Sequence, residues 1–185
     1  MHGVVLNGGK STRMGRDKGQ LIYHSHPQTI HCYHLLQTVC SDVVISCRED
    51  QKKLYSDYST VIDLYENCGP ISGLLSVYEY TKSPLLVLAC DLPFFNENTL
   101  QHLYKNRNST KAATVYTHSD QRLEPLCSIW EISALEALRA QFLSGKYGLN
   151  RILNQLPIQR IPIVNPQSFT NVNEYDVYKK ITKKT

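Results

Sequence analysis

At 185 residues and 42% apolar content, the chain has material for one real hydrophobic core, and residues 1–185 are read as a single domain. A net charge of +4 is mild; the cations gather near residues 10–18 and at the C-terminus without interleaved aromatics, which argues against nucleic acid as a partner. Six scattered cysteines with no C-x-x-C pair argue against a disulfide framework or a zinc site and suit a reducing cytoplasm, while the longest apolar run, Leu85 to Cys90, is far too short to span a bilayer.

Apolar strand-like runs alternate with helical patterns, which predicts a mostly parallel sheet with helices on its faces. Strands are expected at 3–7, 42–47, 60–63, 84–89, 112–117 and 159–164, and helices at 28–40, 49–57, 71–81, 97–107, 131–143 and 174–181. Residues 122–130 read as an extra strand of antiparallel sense. Asn96 suits an N-cap for the fourth helix, and Ser72 lies near the start of the third. In such sheets ligands sit at the carboxyl ends of the strands, so the loops after Leu6, Ile62 and Ala89 are expected to line one cleft.

The first of those loops carries the clearest chemistry. A buried-type strand, Val4-Val5-Leu6, ends abruptly in Asn7-Gly8-Gly9, followed by Ser11 and the cations Lys10, Arg13, Arg16 and Lys18. Glycines that bring backbone N–H groups close to a ligand, joined by Arg and Lys, suit a polyanion such as a nucleoside triphosphate. The alternative is an ordinary surface turn with solvated charges. Two known phosphate loops do not fit. Gly9-Lys10-Ser11 matches the end of G-x-x-x-x-G-K-[ST], but its first glycine would fall at Val4, and G-x-G-x-x-G is absent.

Further along, His24, His26, His31 and His34 crowd one segment without the H-E-x-x-H spacing, and read as solvated or helix-face residues. In Asn67-Cys68-Gly69-Pro70-Ile71-Ser72-Gly73, Pro70 suits the first helical position and Gly73 a close backbone approach. The apolar strand Leu85 to Ala89 delivers Cys90-Asp91-Leu92-Pro93 to the cleft. Asp91 there is either a Mg²⁺ ligand beside phosphates or a simple turn cap. G-x-S-x-G does not occur, which disfavours a serine hydrolase.

The stretch Leu6 to Gly19 resembles the LAGG…RMG…DKG signature of the small nucleotidyltransferases, with Asn7 where Ala is usual. It is most similar to the molybdenum cofactor guanylyltransferases, because Asp17 precedes Lys18. The resemblance implies an α/β, Rossmann-like three-layer sandwich of the nucleotide-diphospho-sugar transferase type. It implies transfer of GMP from GTP to the phosphate of molybdopterin with release of pyrophosphate. Arg13, Lys18 and Asp91 are then the catalytic residues, and Leu6, Asn7, Gly8, Gly9, Ser11 and Asp63 join them around the nucleotide. Cys90-Asp91-Leu92-Pro93 matches a metal-binding CD-x-P segment, and Phe169-Thr170-Asn171-Val172-Asn173 a late F-x-N-[IV]-N segment, so Asp91 and Asn173 are the implied Mg²⁺ ligands. Gly69, Gly73, Asn171 and Asn173 fall on the acceptor side, and Glu124-Pro125-Leu126-Cys127 resembles a segment near it.

The sequence departs from the pattern elsewhere. Ser46-Cys47-Arg48 stands where some guanylyl enzymes place an Asn near the base. Lys146-Tyr147-Gly148 stands where an arginine pair would face the pterin phosphate, leaving Lys146 or Arg151 as substitutes. Glu174-Tyr175 replaces the usual Thr-Pro. Molybdoenzyme apoproteins are the implied recipients, and no membrane or nucleic-acid partner is expected. The rivals are a cytidylyl- or sugar-1-phosphate nucleotidyltransferase of the same fold and a non-catalytic GTP-binding regulator.

Overall fold

Two apolar layers sandwich the sheet in the computed structural model, which describes residues 1–7 and 17–172. In β1 (His2–Leu6), Val4 and Leu6 pack to one side and Val5 to the other. In β4 (Leu85–Ala89), Leu85 and Val87 share the first side, Leu86 and Leu88 the second. A strand buried on both faces has no polar face to show, which is why these segments read as unbroken apolar runs.

The remaining strands are β2 (Val43–Cys47), β3 (Thr60–Ile62), β5 (Ala113–Thr117), β6 (Leu123–Trp130) and β7 (Gln159–Pro162). Together they form a seven-stranded sheet in the order β3-β2-β1-β4-β6-β5-β7. Neighbours run parallel except for β6, which is antiparallel to both β4 and β5, as expected of the 122–130 segment. The β5–β6 register breaks between Val115 and Tyr116. Opposite the break stands Pro125, which has no N–H to give a ladder. Its carbonyl instead accepts from Ser128 Oγ (2.6 Å) and Trp130 Nε1 (3.1 Å).

Helices α1 (Gln28–Gln37) and α3 (Glu97–Lys105) cover the Val5 side with Ile30, Leu36, Leu100 and Leu103. Helices α2 (Pro70–Thr81), α4 (Ile132–Leu143) and α5 (Leu149–Leu153) cover the Val4 side with Leu74, Leu75, Leu135, Leu138 and Leu153. Asn96 caps α3, its side chain accepting from Thr99 N at 3.1 Å. Pro70 occupies the first turn of α2 behind Gly69, whose φ of 60° and ψ of −149° belong to glycine.

The sequence reading is corrected in four places. The 49–57 segment is a 3-10 helix, Glu49–Tyr55, in which only Gln51 and Tyr55 are buried, too narrow a stripe to support a longer α-helix. A 3-10 turn at Lys18–Gln20 and the short α5 were not anticipated. The α1 pattern ends at Gln37 rather than at residue 40, closed by Thr38, whose N–H and hydroxyl both reach Leu35 O. The helix expected at 174–181 lies outside the described residues. Among the described residues, no helix is long and apolar enough to cross a membrane.

Candidate active site

From β1 the chain crosses by α1 to β2 on one side, while β4 lies on the other, so the strand order reverses between β1 and β4. A crevice opens at the carboxyl ends of strands that part in this way. Here it is a cleft of about 220 Å³. Leu6 and Asn7 enter it from β1, Asp63 from the end of β3, and Cys90 and Asp91 from the end of β4. Gly69, Pro70 and Gly73 form its wall at the start of α2, and Asp17 and Lys18 stand at its rim. Leu126, in the irregular stretch of β6 beside Pro125, completes the lining with Ser46. The loops after Leu6, Ile62 and Ala89 thus meet as the strand order requires.

Close packing fixes the wall. A Cβ on Gly73 would lie 2.4 Å from Ser46 Oγ and 2.7 Å from Leu6 Cδ2, so only glycine lets α2 approach the sheet this closely. A second hollow of about 670 Å³ shares Asp63 and Gly69 with the cleft and extends past Arg48 and Tyr65.

The carboxylates are held against a cost. Burial pushes the Asp91 carboxyl above its ordinary range, opposed by Lys18 and a backbone N–H, with Glu124 adding to the rise. Burial likewise raises Asp63, opposed by the Ser46 hydroxyl, which donates to Asp63 Oδ1 at 2.5 Å, and by Arg48. A positive ion bound beside either carboxylate would restore its charged form. The Cys90 thiol is pushed well up by burial, which leaves it a poor nucleophile.

Asn7 explains its own departure from the usual Ala. Its side chain is 4% exposed and sits at the centre of a polar knot. Asn7 Nδ2 donates to Tyr55 Oη (2.6 Å), the Tyr55 hydroxyl donates to Thr29 Oγ1 (3.4 Å), and Thr29 Oγ1 donates back to Asn7 Oδ1 (2.9 Å). Gln20 Nε2 adds a bond to Tyr55 Oη at 2.9 Å. Gly19 is packed against this ring: a Cβ there would lie 2.0 Å from Asn7 Oδ1 and 2.1 Å from Thr29 Oγ1. Gln51, Tyr55 and Thr29 were not anticipated as neighbours of the cleft. The one sequence signal for them was the polar residue at position 7.

The anticipated residues divide by where the fold puts them. Leu6, Asn7, Lys18, Asp63, Gly69, Gly73 and Asp91 line the same cleft. Gly8, Gly9, Ser11, Arg13 and Asn173 lie outside the described residues. Asn171 is exposed, but the next residue, Val172, donates its N–H to Asp91 O at 3.2 Å, which lays this late segment against the β4 loop. Glu124 is engaged by His118 Nε2 (2.5 Å) and Arg122 Nη1 (3.1 Å). Lys146 and Arg151 are exposed and do not line the cleft. His24 and His31 stack with centroids 4.1 Å apart, and His24 Nε2 bonds Pro93 O at 2.9 Å. Among the described residues, no group of three His, Cys, Asp or Glu side chains is placed to hold a metal by itself. A single carboxylate such as Asp91 suits an ion that keeps several waters and shares the phosphates of a nucleotide.

Known proteins resemble this arrangement along nearly the whole chain. The chain is 32% identical over 178 residues to a molybdenum cofactor guanylyltransferase of Pasteurella multocida, covering 92% of this chain and 93% of that one. It is 31% identical over 185 residues to a molybdenum cofactor biosynthesis bifunctional protein of Synechocystis, covering 98% of this chain and 53% of the other, so it spans about half of that longer protein. The crystal structure of molybdopterin-guanine dinucleotide biosynthesis protein A from Archaeoglobus fulgidus superimposes with a TM-score of 0.80 at 25% identity, covering 99% and 97% of the two chains. The model of the MobA-like NTP transferase domain matches residues 3–161, from β1 into β7, and the chain belongs to that family.

Proposed function

We propose that this chain transfers GMP from GTP to the terminal phosphate of molybdopterin and releases pyrophosphate. The observation that carries the reading is that Lys18, from the N-terminal signature, and Asp91, from the middle of the chain, line one cleft at the switch point of the sheet. Relatives along nearly the full length bear the guanylyltransferase name, which supports GTP and molybdopterin as substrates.

In this reaction a phosphate oxygen of the acceptor forms a bond to the α-phosphorus of GTP, and the bond from that phosphorus to the β-phosphate bridging oxygen breaks. The attacking oxygen is already anionic near neutral pH, so no general base is needed. Catalysis then rests on alignment and on countering charge. Lys18 offsets charge at the α-phosphate, with Arg13 assigned to the rest of the triphosphate. The Leu6–Gly9 backbone and Ser11 hold nucleoside and phosphates, and Asp63 contacts the nucleotide. Gly69, Gly73, Asn171 and Asn173 are assigned to the acceptor side. Asp91, with Asn173, would hold Mg²⁺, which supplies neutralisation of phosphate charge when bound. The reading also takes residues 1–185 as a single domain, a cytoplasmic setting that keeps the thiols reduced, and molybdoenzyme apoproteins as recipients of the product.

Calorimetric titration with GTP, CTP, UTP and ATP in Mg²⁺ tests the nucleotide site and its base preference together. Pyrophosphate release with molybdopterin or a sugar 1-phosphate as acceptor then tests the reaction. Tight binding and turnover confined to GTP and molybdopterin are expected. Turnover with CTP or with a sugar phosphate transfers the assignment to a relative of the same fold. GTP binding without turnover of any acceptor makes the chain a regulator.

A further inference from the structure

We propose that Gln51 is a positioning residue that holds Asp17, and through it Lys18, in the geometry the cleft needs. The inference rests on the reading of Lys18 as a triphosphate ligand.

Asp17 creates the problem that Gln51 solves. Asp17 and Lys18 both line the cleft. A carboxylate next to a triphosphate repels it, and a carboxylate next to a lysine competes for the ammonium that the phosphate requires. The fold turns Asp17 aside with two donors. Gly19 N donates to Asp17 Oδ1 at 3.0 Å and Gln51 Nε2 to Asp17 Oδ2 at 2.5 Å.

Gln51 itself is only 2% exposed and has no slack. Its Oε1 accepts from Arg48 N at 3.0 Å, and since only the carbonyl oxygen can accept there, the amide nitrogen must face the opposite way. That nitrogen meets Asp17 Oδ2 and, at 3.3 Å, the backbone carbonyl of Asn7. One side-chain amide therefore joins the end of β1 to the residue before Lys18. The bonds from Asn7 and Gln20 to Tyr55, four residues further along the same turn, brace the other side of the Lys18–Gln20 segment. An internal strut would need no contact with cleft residues, whereas this amide grips the carboxylate beside Lys18.

Two substitutions test the role. Gln51→Leu keeps the approximate volume and removes the donor. Pyrophosphate release should show kcat lowered about 10- to 100-fold, with KM for GTP changed much less. Gln51→Glu sets a second carboxylate against Asp17, whose charge also acts on Arg48, Tyr55 and Cys90. At the alkaline end of a pH profile the two facing charges repel and the defect should be full. Toward the acid end a proton held between the two oxygens lets the introduced side chain donate as the amide did, and kcat relative to the unsubstituted protein should recover. The unfolding midpoint is followed in parallel. Unchanged kcat in Gln51→Leu overturns the proposal, and so does a defect in Gln51→Glu that does not vary with pH or that only follows the unfolding midpoint, since a carboxylate buried at this position titrates by burial alone. Should Gln51→Leu fail to fold, the pH profile of Gln51→Glu decides. If the unsubstituted protein turns over no GTP with molybdopterin, the functional reading fails on its own. The positioning role is then judged by calorimetry with Mg²⁺ and GTP, where about tenfold weaker binding in Gln51→Leu supports it and equal binding overturns it.

Discussion

Around Asn7, buried polar groups are matched to one another: the amides of Asn7 and Gln51 and the hydroxyls of Thr29 and Tyr55 all find partners, with the exposed Gln20 adding a bond from outside. A short distance away in the same cleft, Asp91 and Asp63 are buried at a cost that the protein only partly offsets. The uncharged knot gives shape, because a satisfied network has one arrangement and resists change. The carboxylates give the cleft an appetite, because their burden is relieved only when something positive arrives. A site for a metal-bound polyanion needs both, a rigid frame on one side and unspent charge on the other.

The charged side is broken most severely by removing its members. Lys18→Ala and Asp91→Ala should each lower pyrophosphate release about 10²- to 10³-fold while leaving the unfolding transition cooperative. Near-normal turnover by either variant would mean that the cleft is not where the chemistry happens. On the uncharged side the largest effect belongs to Gly19→Ala. Its Cβ would lie 2.0 Å from Asn7 Oδ1 and 2.1 Å from Thr29 Oγ1, and separating those groups should cost about 3 kcal/mol in denaturant unfolding. Asn7→Ala alone removes the donor to Tyr55 Oη and the acceptor of the Thr29 hydroxyl, leaving those groups only the Tyr55–Thr29 and Gln20–Tyr55 bonds, at about 1–3 kcal/mol. The double variant should cost less than the sum, because removing the Asn7 amide frees room for the new methyl. Strict additivity would show that Gly19 and the knot are unrelated.

Much of the charged side was legible in the chain. An apolar run such as Leu85 to Ala89 has to be a central strand, and a strand's carboxyl end has to deliver the next residues, here Cys90 and Asp91, to the switch point. The extra antiparallel strand was equally readable, from its place between a strand and a helix. The knot was not legible. Its partners come from residues 7, 20, 29, 51 and 55, and side-chain hydrogen bonds across such separations leave no periodicity to detect. Residues 49–55 were misread as an α-helix for a related reason: Gln51 is buried in the knot while Leu54 is exposed, so polarity gave the wrong sign of burial at both. The α5 helix, Leu149–Leu153, was missed because one turn is too short for a helical period to register.

A smaller effect tests the cleft wall at the start of α2. Gly69 has φ 60° and ψ −149°, and a Cβ added there meets nothing within 4 Å. Gly69→Ala therefore isolates backbone strain from packing. A loss of about 1–2 kcal/mol in unfolding, with the α2 start displaced and GTP affinity lowered, is the expected result. An unchanged midpoint would show that the turn can relax into an ordinary conformation, and that the wall of the cleft is less rigid than the knot opposite.

The smallest effect, in stability, discriminates best. Because burial holds the Asp91 carboxyl above its ordinary range, the folded chain retains its proton at pH values where the unfolded chain has lost it. Between those two pKa values the folded state binds more protons, so stability falls as pH rises through the window and then levels off. Asp91→Asn has no proton to lose. At neutral pH its unfolding midpoint should lie above that of the unsubstituted protein, and the gap should close as pH falls through the window to below the ordinary carboxylate range. The same substitution removes the charge assigned to the metal, so turnover should collapse while stability improves, the opposite of what a cut in the Asn7 knot would do. A variant less stable than the parent at neutral pH would mean that attraction to Lys18 outweighs burial at Asp91. The two sides of the cleft would then be built on the same principle after all.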